Sequence, residues 1–379
     1  MACVPMPPLL SFALDIYKYV QLHHSSENGN VFCSPFSIAA ALAMTVAGAR
    51  GVTAEEIMLA LRVESDFPVH KHFSHLQAYF RKFAVGTTLH IANRIFLEKT
   101  FTPLDDFCTL LKDSYSTTTV SVDFRNNAED ARKQINSWVD EETKNKINDI
   151  LPPGTLNNLS TLVLVNAIYF KGLWDRAFKQ DSTKEMDFFE TSENPRKVDM
   201  MFQKGKFRIN RCDDLKVTSL ILPYKGNNVV MAVLLPDEID GLPSLEASLT
   251  PEKFKSLLFE TETEDNVSVY LPKFKVEQAT NLNAVLRNMG MVKAFTKSAD
   301  LTGISARDDL QVSDVVHKAF VEVSEEGTEA AAASAVVIRM KRCMKVPGER
   351  IFKADHPFMF SIISVEPGTV LFVGSLRRA

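Results

Sequence analysis

Cysteine is scarce and scattered in this sequence. Its five cysteines, Cys3, Cys33, Cys108, Cys212 and Cys343, are odd in number and include no CxxC pair, which argues against both a disulfide framework and a zinc site. Long apolar runs are missing as well. Stretches such as "TLVLV" and "VVMAVLLP" fall far below the roughly 18 residues needed to cross a bilayer, so no membrane partner is expected. Neither sign of charge dominates: 43 Lys and Arg stand against 47 Asp and Glu, a net charge of -4. Nucleic acid is therefore not expected as a partner. The opening "MACVPMPPLLSFALDIYKYV" lacks a basic leader followed by an apolar block of about 7–15 residues. No signal peptide is expected in the sequence as given, a leader already removed being the alternative.

Catalytic signatures are absent too. There is no GxSxG elbow, no HExxH, no GxxxxGK[ST] and no GxGxxG after a strand, so the common hydrolase and nucleotide-binding chemistries have no support and the chain does not read as an enzyme. His70, His72 and His75 lie close together, and a solvated or half-buried helical face explains them better than a metal site. Lys71, Arg81 and Lys82 share that segment; it reads as an ordinary charged face or, alternatively, a glycosaminoglycan contact. Asn158-Leu159-Ser160 and Asn266-Val267-Ser268 are candidate glycosylation acceptors.

What is present is a mixed α and β pattern. The first 150 or so residues are mainly helical, with apolar residues spaced at three and four in "LLSFALDIYKYVQLHH", "PFSIAAALAMTVAGA" and "AEDARKQINSWVDEETKNKI",. Strand patterns follow in "TLVLVNAIYF", "VTSLILPY", "VSVYLPKFKVE", "HKAFVEVSE" and "VLFVGSL",. No linker, repeat or low-complexity tract divides them, so residues 1–379 read as one interwoven domain.

One stretch fits no single local structure: "EEGTEAAAASAVVIRMKRC", Glu325 to Cys343. Glu325 and Glu326 lead into Gly327, which suits a hinge. Thr328, Ala330, Ala332, Ser334, Val336 and Ile338 then alternate, all uncharged and small or β-branched. In an extended conformation they share one face, so the segment could enter a sheet without burying a charge. A plain alanine-rich helix is the competing reading. Arg339, Met340, Lys341 and Arg342 follow as a cationic bait for a protease pocket holding a carboxylate, or as an ordinary basic turn. Cys343 next to them is either inert or, with Lys341, Arg342 and Lys345 favouring its thiolate, redox-sensitive.

At this point the sequence resembles the serpins over essentially its whole length. "NVFCSPFSIAAALAM", with Asn30, Ser34, Pro35 and Ser37, is similar to the family's entry into a long buried helix. "LVNAIYFKGLW" (Asn166, Phe170, Gly172, Trp174), "LPKFKVE" (Lys273), "VHKAFVEVSEEGTEAAAA", "DHPFMFSI" and "VLFVGSL" follow in family order. The resemblance implies a metastable fold of three β-sheets and about nine helices, with an exposed reactive-centre loop over about 325–346. It implies a monomer that traps a target serine protease in a covalent complex and needs no cofactor or metal. Ser34, Ser37, Asn166 and His317 match a polar cluster beneath the opening sheet. Trp174, Lys273 and Glu325 match the point where the loop first enters, the last two expected to pair.

Family spacing from Gly327 puts the scissile bond after Lys341, and a loop one residue longer puts it after Arg342. The bidentate fork of arginine favours Arg342 and a trypsin-like target. Arg339-x-Lys341-Arg342 also fits subtilisin-like proprotein convertases, and a non-inhibitory role in storage, transport or chaperoning is the further alternative. The resemblance to secreted arthropod serpins, salivary types included, favours an extracellular protein. The leaderless intracellular vertebrate clade, which it also resembles, makes cytoplasm the alternative.

Overall fold

The computed structural model describes residues 7, 9–23, 29–80, 86–328 and 349–379. Its centre is a six-stranded sheet in the order Phe274–Asn281, Val312–Val323, Gly327–Thr328, Leu162–Leu173, Thr87–Glu98, Thr119–Val122. Leu162–Leu173 reads LVLVNAIYFKGL, and its first nine residues are all buried, as an apolar run demands when both faces of a strand are covered. Leu162, Leu164, Ile168 and Phe170 face the main core. Val163, Val165, Ala167 and Tyr169 face a second core, formed with the helix Phe124–Glu142 through Phe124, Ala131, Ile135 and Val139.

The main core also takes in the helix Pro35–Gly48, PFSIAAALAMTVAG, which is apolar nearly all round. Such a helix has no water-facing stripe and must be enclosed. Its start follows from chemistry: Ser34 caps it by accepting from the Ser37 N–H at 3.2 Å, and Pro35 stands at the first turn, where its missing donor costs nothing,.

The second network has nine strands. They run Val31–Cys33, Thr369–Leu376, Phe358–Ser364, Val229–Pro236, Val217–Pro223, Asn194–Cys212, Glu262–Pro272, Arg350–Lys353, with Lys184–Thr191 paired to Asn194–Cys212. The 19-residue strand Asn194–Cys212 joins what would otherwise be smaller sheets, because it pairs with Lys184–Thr191, Glu262–Pro272 and Val217–Pro223 at successive positions. The mixed α and β architecture expected from sequence is the one observed, and the described residues carry nine α-helices. Several elements were not legible, Asp105–Tyr115 and Thr119–Val122 among them, and for two strands the reason is charge. Asn194–Cys212 (NPRKVDMMFQKGKFRINRC) and Lys184–Thr191 carry so many charges that alternation is masked. No helix among the described residues is long and apolar enough to cross a membrane.

The helix Phe124–Glu142 is fastened to the following loop by two side chains. Asn136 accepts from the Leu151 N–H and donates to the Leu151 carbonyl, both at 3.0 Å, while Arg132 adds a second donor to that carbonyl at 2.8 Å. Asn136→Ala leaves the buried Leu151 N–H without a partner. It is expected to lower stability in denaturant unfolding by about 1–3 kcal/mol, and an unchanged midpoint would show that the clip contributes nothing.

Candidate functional site

Leu162–Leu173 and Val312–Val323 run parallel from Val312↔Leu162 to Phe320↔Tyr169, with one shift in register between Val312 and Asp314. Beyond that they part. Gly327 and Thr328 occupy the gap, antiparallel to both neighbours: Gly327 opposes Leu173, and Thr328 opposes Gly172 on one side and Val323 on the other. Gly327 is required there. It has φ +152, and a Cβ would stand 2.0 Å from the Gly172 carbonyl oxygen,. Thr328 is fully buried and its hydroxyl hydrogen-bonds the Tyr224 hydroxyl at 2.7 Å. Burial holds the Tyr224 phenol protonated, with its pKa well above the ordinary value,.

A clamp surrounds this entry point. Trp174 stacks on Tyr224 with centroids 4.5 Å apart and donates Nε1–H to the Ser324 carbonyl at 2.9 Å. The backbone N–H groups of Trp174 and Phe178 donate to the carbonyls of Glu326 and Glu325 at 2.9 and 2.8 Å. Lys273 Nζ lies 3.3 Å from Glu325 Oε2, and the Thr183 hydroxyl donates to Oε1 at 2.8 Å. Burial raises the Glu325 pKa, but hydrogen bonds from its own backbone and Thr183, together with Lys273, outweigh it and leave a net lowering,. Glu325 is thus held charged, and Ser324 to Thr328 enter the sheet edge already fixed.

Lower down, His317 opposes Asn166 across the same parallel pair. The Ser34 N–H donates to His317 Nε2 at 3.0 Å, so the ring hydrogen sits on Nδ1 and points to Asn166 Oδ1,. Asn166 Nδ2 donates to Ser37 Oγ at 2.5 Å and to Asn93 Oδ1. Ser34 Oγ donates to the Leu371 carbonyl at 2.6 Å. Ser34, Ser37, Asn166 and His317 are therefore one connected cluster, fully buried. Its fifth member, Asn93, carries no motif and was not legible in sequence, nor were Tyr224 and Thr183 at the clamp.

The remaining sequence candidates divide in two. Ala330, Ala332, Arg339, Met340, Lys341, Arg342 and Cys343 lie outside the described residues, as do Arg81 and Lys82. Asn158 and Asn266 are exposed. His70 is engaged by the Tyr115 hydroxyl at 2.7 Å, and burial lowers the pKa of both His70 and His72.

Comparison with known proteins agrees with this architecture. The serpin (serine protease inhibitor) family model matches residues 9–378. The chain is 50% identical over 370 residues to Iris of Ixodes ricinus, covering 98% of each, and 42% identical over 369 residues to leukocyte elastase inhibitor A of Rattus norvegicus, covering 96% of each. Among solved structures it is similar to Serpin48, a highly specific serpin of the insect Tenebrio molitor, with TM-score 0.88 and 34% identity over 98% of this chain and 97% of that one. The chain belongs to the serpin family.

The buried His317 gives a pH dependence with a definite sign. Burial lowers its pKa from the ordinary 6.5 to about 3. The unfolded chain therefore takes up a proton below pH 6.5 that the folded chain refuses until about pH 3, and stability falls across that window as pH falls. Denaturant unfolding between pH 6.5 and 5 is expected to lose a slope of about 1.4 kcal/mol per pH unit in His317→Gln relative to wild type, His70 and His72 contributing equally to both. Identical slopes would show that His317 titrates normally in the folded state.

Proposed function

We propose that the protein inhibits trypsin-like serine proteases as a suicide substrate, the cleaved loop inserting into the central sheet and carrying the acylated enzyme with it. The observation that supports this is the register at the hinge. Stepping two residues at a time from the Thr328–Gly172–Val323 alignment, insertion would set Ala330 between Phe170 and Val321, and Ala332 between Ile168 and Ala319. Ser334 would fall between Asn166 and His317, and Val336 between Leu164 and Val315. The one hydroxyl among these four would thus meet the polar cluster where Asn166 and His317 had bonded each other, and the three apolar residues would meet apolar neighbours. Each inserted residue exchanges a parallel pairing for two antiparallel ones. Some 14 added backbone hydrogen bonds, at roughly 0.5–1.5 kcal/mol net each, give a gain on the order of 10 kcal/mol,.

In this reading Arg342 is the residue before the scissile bond, with Lys341 as the alternative. Arg339-x-Lys341-Arg342 keeps proprotein convertases as a second target class. A non-inhibitory serpin is disfavoured because no bulky charge or proline stands among the inward positions. The exposed Asn158 and Asn266 are proposed glycan acceptors, consistent with action outside the cell, cytoplasm being the alternative. The helix face of Lys71 is a candidate glycosaminoglycan contact.

Incubation with trypsin is expected to yield an SDS-stable one-to-one complex and a released C-terminal fragment whose mass fixes the cut after Arg342 or Lys341. Ala332→Arg should turn the protein into a substrate, because insertion would bury a charge between Ile168 and Ala319. Glu329→Arg, on the opposite face of the inserted register, should still trap. Clean cleavage of the wild type without a complex, or undiminished trapping by Ala332→Arg, would contradict the reading.

A further inference from the structure

Trp174 also lines a cavity of about 300 Å³, at the small end of the range for ligand sites. Its rim carries Arg176, Arg208 and Lys206, the last paired with Asp265 at 3.6 Å, against the lining carboxylate Asp175, and its floor is apolar, with Phe207, Ile221, Leu222 and Val230. Such an arrangement of cations over a greasy floor has no use in the loop chemistry above.

Three details make it a built site. Arg176 lies across the strand at Gly205, where a Cβ would stand 2.2 Å from its Nη1, so the glycine admits the guanidinium,. Arg208 donates through Nε to the Thr261 hydroxyl at 3.0 Å, which anchors its head. Gln203 lines the cavity at only 8% exposure, and its Oε1 is buried with no hydrogen-bond partner. An unsatisfied buried amide costs free energy. Rotation of the amide about its last side-chain bond would turn Nε2–H into the cavity in place of the oxygen, and in that orientation it donates to an anion.

We infer that this cavity binds an amphipathic carboxylate, one straight apolar chain lying on the floor and its head group held by Arg176, Arg208 and Gln203. The planar guanidinium forks supply paired donors to a carboxylate. Occupancy meets the hinge through Trp174, which lines the cavity while donating to the Ser324 carbonyl. The inference goes beyond the inhibitory reading and does not depend on it.

The chain has two tryptophans, so Trp138→Phe leaves Trp174 as a single reporter within the cavity. Titration of that variant with decanoate, below the concentration at which it forms micelles, is expected to give a saturable change in fluorescence. Arg176→Gln and Arg208→Gln should each weaken it about tenfold or more, the loss of a charge-assisted hydrogen bond, whereas Lys253→Gln, remote from the cavity, should not. Decanol, with the same chain and no charge, should bind far more weakly. Calorimetry on the protein with Trp138 intact provides the same comparison independently of that substitution. Absence of saturable decanoate binding, affinity unchanged from the parent protein in both arginine variants, or decanol binding as tightly as decanoate would each overturn the inference.

Discussion

Two residues hold apart two strands that are otherwise bonded to each other. The parallel ladder between Leu162–Leu173 and Val312–Val323 is direct up to Phe320↔Tyr169 and then yields to Gly327–Thr328. Every feature around that point serves to keep the wedge in place. Gly327 has no side chain because the Gly172 carbonyl occupies the space. Thr328 is tied to Tyr224, Ser324 to Trp174, and Glu325 to Lys273 and Thr183. Gly327–Thr328 are therefore fixed at the head of the seam between the strands, antiparallel to each.

Opening that seam has a cost, and its largest identifiable part is polar. His317 and Asn166 sit opposite each other, fully buried and joined to Ser34, Ser37 and Asn93. Parting the strands without replacement would strand buried donors and acceptors, each costing about 1–3 kcal/mol. The intact sheet is thereby kept closed against spontaneous opening. In the proposed mechanism Ser334 arrives in register with this pair, so the barrier is met by a residue able to satisfy it. The helix Phe124–Glu142, packed on the other face through Phe124, Ile135 and Val139, is a second element that must yield if the strands separate.

How much of this was legible follows from the kind of signal each part emits. Fold class, the buried helix after Ser34 and the run LVLVNAIYF are periodic or apolar, so composition along the chain betrays them. The alternation from Thr328 to Ile338 is likewise a period in the sequence, of which only Thr328 lies among the described residues, and Ser34, Ser37, Asn166, His317, Trp174, Lys273 and Glu325 lie in motifs that resemble the family's. Asn93, Thr183 and Tyr224 lie on other segments, in contexts that any sheet protein might contain, and only the tertiary approach of separate strands gives them partners. Gln203 and Arg176 were hidden for a further reason: their strand and loop carry scattered charges, and a cavity is a property of what is missing between elements. Sequence spacing also could not supply the register, which depends on Thr328 lying opposite both Gly172 and Val323.

The account rests on the central sheet being a strained state that the loop relieves. Thermal unfolding of the intact protein, compared with protein cut once within the loop by a protease that is then removed, tests this most directly. Insertion should raise the melting temperature by something on the order of tens of degrees as the stored strain is released; coincident melting curves for the intact and cut proteins would contradict the account.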